Sequence, residues 1–221
     1  MATVDLHLTE KTDAGNKQFM KTNIGQDLVR QGNEAYNSKD YLRALTLYKR
    51  ALVNSRGSAD LYFFIAETYQ KLGDTGKSLR YFRRALRMDK NCPNIYFKIG
   101  LALQDLGRRK EALAFYKQEL DHDPSHFEAL FNSAVILGAK KKYGESIVLY
   151  EKALSIRPDD TGSLLNLAVD LGNSHKYEES NDQCARILKI NPNDLAANFL
   201  TASNTFDLGK YEEALAALSR C

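Results

Sequence analysis

The chain has 221 residues, 43% of them hydrophobic and 27% charged, which is enough apolar side chain to bury a sizeable core and excludes a disordered tail. Its 31 Lys and Arg against 28 Asp and Glu leave a formal charge of +3, too slight a bias to announce a nucleic-acid or membrane partner. Three cysteines far apart, Cys92, Cys184 and Cys221, exclude a disulfide framework, and no C-x-x-C pair suggests a zinc knuckle, so reduced thiols in the cytoplasm are expected. No apolar run reaches the roughly 18 residues of a membrane span, and the start MATVDLHLTEKTDAG lacks the apolar stretch of a secretory signal.

Residues 1–24 fall outside any periodic pattern. Disorder is expected before Asp13, with Phe19, Met20 and Ile24 extending the first helix backward as a cap over the N-terminal end. From Gly25 onward the chain repeats. Pro124, Pro158 and Pro192 are spaced by 34 residues, and blocks of 34 begin at Gly25, Ala59, Pro93, Phe127 and Thr161, with a partial block from Leu195. The repeats are thus 25–58, 59–92, 93–126, 127–160, 161–194 and 195–221. In each block the eighth position is small (Gly32, Ala66, Gly100, Ala134, Ala168, Ala202), as is the twentieth (Ala44, Ser78, Ala112, Ser146, Ser180, Ala214). Small residues at helical spacing let two helices approach closely. Bulky residues fill the twenty-fourth position (Tyr48, Phe82, Tyr116, Tyr150) and leucine the twenty-eighth (Leu52, Leu86, Leu120, Leu154, Leu188), as knobs for those gaps. Between them stand helix stops: Ser38-Lys39-Asp40, Leu72-Gly73-Asp74, Leu106-Gly107-Arg108 and Leu208-Gly209-Lys210. Each block reads as helix, tight turn and second helix, with the late prolines ending the second helix and Pro93 in a first helical turn.

The 34-residue period, the small eighth, twentieth and twenty-seventh positions, the aromatic twenty-fourth and the proline at the thirty-second resemble the tetratricopeptide repeat family over residues 25–221. Gln31, Ser133 and Thr201 depart from leucine at the seventh position, as do Glu119 and Ile187 from alanine at the twenty-seventh. The resemblance implies an all-α fold, a right-handed superhelical solenoid of antiparallel helix pairs forming one elongated domain with a continuous core. It also implies a protein-binding scaffold without chemistry of its own, whose first helices line a concave groove at the second, fifth, sixth, ninth, twelfth and thirteenth positions. The fifth position reads Val29, Phe63, Phe97, Phe131, Leu165 and Phe199, an apolar row that would mark an interaction stripe if open. The competing reading is that these rings only finish the core. Asn132 and Asn166 at the sixth position resemble two rungs of a backbone-holding asparagine ladder, although asparagine is common there. Asn33 and Lys98 match the family's two-carboxylate clamp for chaperone tails, but Val29, Phe64 and Asn94 occupy the clamp's other places, so no chaperone-tail receptor is expected. The expected partner is an apolar peptide or amphipathic helix, in the setting of a multiprotein complex.

Charge is unevenly spread. Residues 25–126 carry 18 basic and 12 acidic side chains, a net +6, and residues 127–221 carry 10 and 13, a net −3. Arg80, Arg83, Arg84 and Arg87 follow the spacing of one helix face, taken as the outer, convex one. An adaptor for RNA or an anionic membrane surface acting through that stripe is the alternative function, ranked second because such stripes are commonly the solvated side of a helix. Asp121-His122-Asp123-Pro124-Ser125-His126 is the one cluster with the look of a metal or acid–base site, and Pro124 keeps its histidines off a single helix face. No phosphate loop, nucleophile elbow or dinucleotide fingerprint occurs, so no catalysis, cofactor or metal is expected. Lys140, Lys141 and Lys142 fall in a helix end and turn. Leu215 and Leu218 near Cys221 would ordinarily pack on a following helix. Either the natural chain continues or that end docks on a partner or a second copy, and self-association is carried as a possibility for it.

Overall fold

The computed structural model describes residues 23–54 and 57–219, so the expectations for residues 1–22, including Phe19 and Met20, and for Cys221 lie outside the described residues. Twelve helices and no strand occur among the described residues. α1 covers 23–37 and α2 Tyr41–Asn54; α3 is Ala59–Lys71 and α4 Thr75–Met88; α5 is Ile95–Asp105 and α6 Arg109–His122. α7 is Phe127–Ala139, α8 Tyr143–Ile156, α9 Thr161–Asn173, α10 Tyr177–Ile190, α11 Leu195–Asp207 and α12 Tyr211–Leu218. Every block of 34 residues holds two helices, and those of the second, fourth, fifth and sixth blocks pack together as hairpins. The chain divides into two compact units, 1–108 and 109–221, and the division falls inside the third block, between α5 and α6. In a repeat array the packing partners of each helix are its immediate neighbours, so cohesion is local and need not respect the block boundary.

Capping explains where the helices begin. The last position of a block supplies the N-cap of the next first helix: Ser58, His126, Asp160 and Asp194 accept hydrogen bonds from the backbone N–H groups of Leu61, Ala129, Ser163 and Ala197. In the third block this position is Cys92, which cannot cap in that way. α5 therefore starts late, at Ile95, behind Asn94 in the left-handed region at φ 59° with no side-chain cap, and Pro93 precedes the helix instead of lying in its first turn.

The turn inside each hairpin needs one residue with positive φ, and it is always the fifteenth of the block. Gly73, Gly107 and Gly209 take φ of 79°, 74° and 76°, whereas Lys39, Lys141 and His175 hold 64°, 60° and 60°. A side chain in that region is strained by about 1 kcal/mol relative to glycine. Lys141→Gly is expected to raise the stability of the protein by about 1 kcal/mol, read as a shift of the urea midpoint followed by circular dichroism, and Gly73→Lys to lower it by a similar amount.

The small and bulky positions interlock as the pattern implies. Ala44, Ala66, Ala134 and Ala168 are fully buried, and so in effect are Tyr48, Phe82, Tyr116 and Tyr150, each side chain contributing roughly 2–3 kcal/mol of burial. In the first unit Leu28, Leu47, Tyr48, Leu61, Ile65 and Tyr69 form one cluster. In the second, Ile147, Tyr150, Leu164, Leu167, Leu171 and Ile187 form another, with a smaller one around Phe127 and Leu130. The leucines at the twenty-eighth position are less central than their regularity suggests. Leu154 alone among them is buried, and Leu52, Leu86, Leu120 and Leu188 are half-buried at the margin.

Polar rungs cross the second unit from one repeat to the next. Ser146 of α8 donates from Oγ to Asp170 Oδ2 of α9, and Asp170 lies over Gly138 of α7, where an added Cβ would come within 2.7 Å of the carboxylate. One repeat on, Asn204 of α11 donates to Ser180 Oγ at 2.8 Å and lies over Gly172. Burial pushes the Asp170 carboxyl above the usual range, and the Ser146 bond only partly offsets it.

Candidate functional site

The groove positions meet in the first unit. Asn33, Tyr36 and Asn37 of α1, Tyr48 of α2, and Phe64 and Glu67 of α3 line an open cleft of about 310 Å³. All but Tyr48 stand at the sixth, ninth, twelfth or thirteenth place of a block, the places assigned to a groove. Tyr48 donates from its hydroxyl to Asn33 Oδ1 at 2.7 Å, and its ring stacks on Phe64 at 5.8 Å. Lys98 of α5 donates from Nζ to Glu67 Oε1 at 2.6 Å, a half-buried ion pair beside the cleft. Burial, reinforced by the Glu67 carboxylate, pushes the phenols of Tyr36 and Tyr48 up to about 12, so both remain protonated donors at neutral pH. Two side-chain amides, two phenols and one carboxylate offer donors and acceptors matched to peptide groups, against walls of aromatic carbon.

The fifth position behaves differently from the open apolar row expected of it. Val29, Phe63, Phe97, Phe131 and Leu165 are half-buried, and Phe199 alone is exposed, at 64%. Phe63 meets the buried Phe82 edge-on with ring centroids 5.3 Å apart; Phe131 stacks on Phe127 at 6.3 Å and meets Tyr150 edge-on at 6.0 Å. Phe63 and Phe131 turn toward the seam between the two helices of their own hairpin, because a residue one place before the cleft-facing sixth position lies about 100° round the helix from it.

Family models of the tetratricopeptide repeat match residues 59–92 and 97–161, and a model of the anaphase-promoting complex, cyclosome, subunit 3 matches residues 139–221. The chain belongs to the tetratricopeptide repeat family. Solved structures carry the same fold. A tetratricopeptide repeat protein from Parabacteroides merdae is 19% identical with a TM-score of 0.73, over 90% of this chain and 78% of that one. MamA from Desulfovibrio magneticus RS-1 is 20% identical with a TM-score of 0.68, over 73% and 92%. YrrB, described as a TPR protein with an unusual peptide-binding site, is 19% identical with a TM-score of 0.68, over 77% and 88%. No curated protein sequence matches the chain. Tetratricopeptide repeats are non-catalytic scaffolds that bind proteins or peptides.

Within this tetratricopeptide array the remaining candidates are placed as follows. Asn132 and Asn166 each donate an amide hydrogen to a carbonyl one turn back in their own helix, Glu128 at 2.7 Å and Gly162 at 2.8 Å. Asn33 and Lys98, the two matches to a carboxylate clamp, are tied to Tyr48 and Glu67. On α4, Arg80, Arg84 and Arg87 are exposed and Arg83 is half-buried. His126 accepts at Nδ1 from the Ala129 N–H at 3.2 Å as the cap of α7, and among the described residues no three His, Cys, Asp or Glu side chains gather as metal ligands would. Lys140 to Lys142 form the α7–α8 turn, with Lys142 paired to Glu145 at 2.8 Å. Among the described residues no helix is long and apolar enough to cross a membrane. Leu215 and Leu218 are exposed on α12. Of the cleft's six members only Asn33 is a site residue named from the sequence, although five of the six share positions assigned to a groove.

Proposed function

We propose that this tetratricopeptide repeat protein is a cytoplasmic interaction scaffold that takes a peptide or amphipathic helix of a partner protein into the cleft of its first unit, as one component of a multiprotein complex. The observation that carries the reading is the convergence of Asn33, Tyr36, Asn37, Phe64 and Glu67 on one cleft of about 310 Å³. Phe64 and the tyrosine rings supply the apolar wall for a partner side chain, and Asn33 and Asn37 supply paired donors and acceptors for its backbone. Resemblance of residues 139–221 to a subunit of the anaphase-promoting complex supports the setting of a multiprotein assembly, and the buried thiols of Cys92 and Cys184 suit a reducing compartment. Phe199, exposed on α11, and the exposed leucines of α12 are a second apolar surface on which a partner or a second copy could rest.

The test is selection of binders from a random peptide library on the wild-type chain, followed by fluorescence polarisation of the selected peptides. Asn37→Ala combined with Glu67→Ala is expected to weaken binding tenfold or more while circular dichroism stays unchanged. Peptides that bind the folded double variant as tightly as wild type would show that the cleft is not the site.

A further inference from the structure

The side of α3 turned away from the cleft carries a second surface with its own chemistry. Tyr62 and Tyr69 lie roughly opposite Phe64 and Glu67 on α3 by helical rotation, and with Tyr81 of α4 they form a run of rings with centroids 6.3 and 5.5 Å apart. Cations from two helices lie on these rings. Lys49 of α2 and Lys77 of α4 both stand over Tyr69, at 5.3 and 5.4 Å from its centroid; Arg84 lies 4.5 Å over Tyr62 and Arg80 5.7 Å over Tyr81. Lys77 is also paired with Asp74 at 2.6 Å, but among the described residues Lys49, Arg80 and Arg84 have no carboxylate within 4 Å. Ring contacts hold these long side chains in place, which removes part of the ordering entropy that a surface cation ordinarily loses on pairing. The result is an exposed, preorganised, positively charged face on which Asp74 is paired with Lys77, while Lys49, Arg80 and Arg84 have no paired carboxylate among the described residues.

We propose that this face binds an acidic amphipathic helix of a partner protein, its carboxylates paired with Lys49, Arg80 and Arg84. Two features select an acidic peptide over a nucleic acid. Tyr62 and Tyr69 are buried at 6% and 7% exposure beneath their cations, so they offer no ring face on which bases could stack. Arg80, Arg84 and Arg87 recur along one face of α4 at three- and four-residue intervals, a spacing of about 5–6 Å that a second helix bearing Glu at i, i+4 and i+7 reproduces on its own surface. Guanidinium forks at all three of these places favour bidentate pairing with carboxylates.

The probe is a fluorescein-labelled helical peptide carrying Glu at i, i+3, i+4 and i+7, compared with a peptide of the same composition whose glutamates are scattered around the helix. The full chain is expected to bind the first peptide at least fivefold more tightly than the second, and raising salt from 50 to 300 mM is expected to weaken it several-fold. Arg80→Glu with Arg84→Glu is expected to abolish the binding, whereas the cleft variant Asn37→Ala with Glu67→Ala leaves it unchanged, which separates this surface from the cleft. These positions are exposed, so the charge-reversed variant should keep its circular dichroism; Arg80→Gln with Arg84→Gln is the milder second variant, expected to lose tenfold. Equal affinity for the two peptides, or binding indifferent to both variants, overturns the proposal. So does tighter, arginine-dependent binding of single-stranded RNA or of vesicles containing phosphatidylserine, which would assign the face to phosphate instead.

Discussion

Ser146→Ala is expected to destabilise the protein by about 3 kcal/mol, although it replaces a small buried residue by the alanine that three of the six repeats carry at this position. The hydroxyl it deletes is the hydrogen-bond donor to Asp170, a carboxylate with 6% exposure and no cation beside it, so the truncation leaves a buried charge without its partner. The same change at the same place of the second repeat should have the opposite sign. Ser78 is buried with no hydrogen-bond partner for its hydroxyl, and Ala44, Ala112 and Ala214 occupy its equivalents, so Ser78→Ala is expected to stabilise by roughly 0.5–1 kcal/mol. Asp170→Asn completes the series, since asparagine already serves at the equivalent Asn204. Because the native carboxyl titrates above its ordinary value, protonated Asp170 is the form that folding favours. Its contribution is fully present below the ordinary carboxylate value of about 4 and is lost as pH rises through the native one. Wild type and Asp170→Asn should therefore unfold at similar urea concentrations near pH 3, and the variant should be the more stable at pH 7. A stability difference that does not grow with pH would mean that folding does not raise the Asp170 carboxyl above its unfolded value.

Gly32→Ala is expected to cost about 2–3 kcal/mol and to disable the cleft at the same time. A Cβ at this place would fall 2.6 Å from Cδ1 of Tyr48 and closer still to Cε1, and Tyr48 is a 2%-exposed ring at the centre of the first unit's core. The ring cannot retreat without breaking its hydroxyl bond to Asn33 and its stack on Phe64. Tyr48→Leu should relieve the clash, so the double variant is expected to be less destabilised than the sum of the single changes, measured as a double-mutant cycle by urea unfolding. Simple additivity would mean that the glycine is needed for some other reason.

The periodic features were legible because each is repeated in register. Two helices per block, the stops between them and the buried small and aromatic positions follow from comparing the chain with itself. The fate of the fifth position was not legible, because phenylalanine serves equally in a groove and in a seam, and only the rotation of the helix decides; Phe63 went to Phe82 and left Phe64 to the cleft. The polar rungs were hidden for the opposite reason. Their position reads Glu34, Thr68, Ala102, Ile136, Asp170 and Asn204, with no common chemistry, and the outward signs are Gly138 and Gly172, each one residue before the end of its helix. The boundary between the two units also left no mark, since the period runs through it without interruption.

The missing cap in the third block bears on how the array breathes. With Cys92 where Ser58, Asp160 and Asp194 cap their helices, α5 has 11 residues against 13 in α3, α7, α9 and α11, and it starts without the side-chain cap bond that those four helices have. Opening the first turn of α5 breaks fewer hydrogen bonds than opening any of those four, so solvent deuterium should enter there first, through backbone that lies just ahead of the fully buried Ile99 and Leu103.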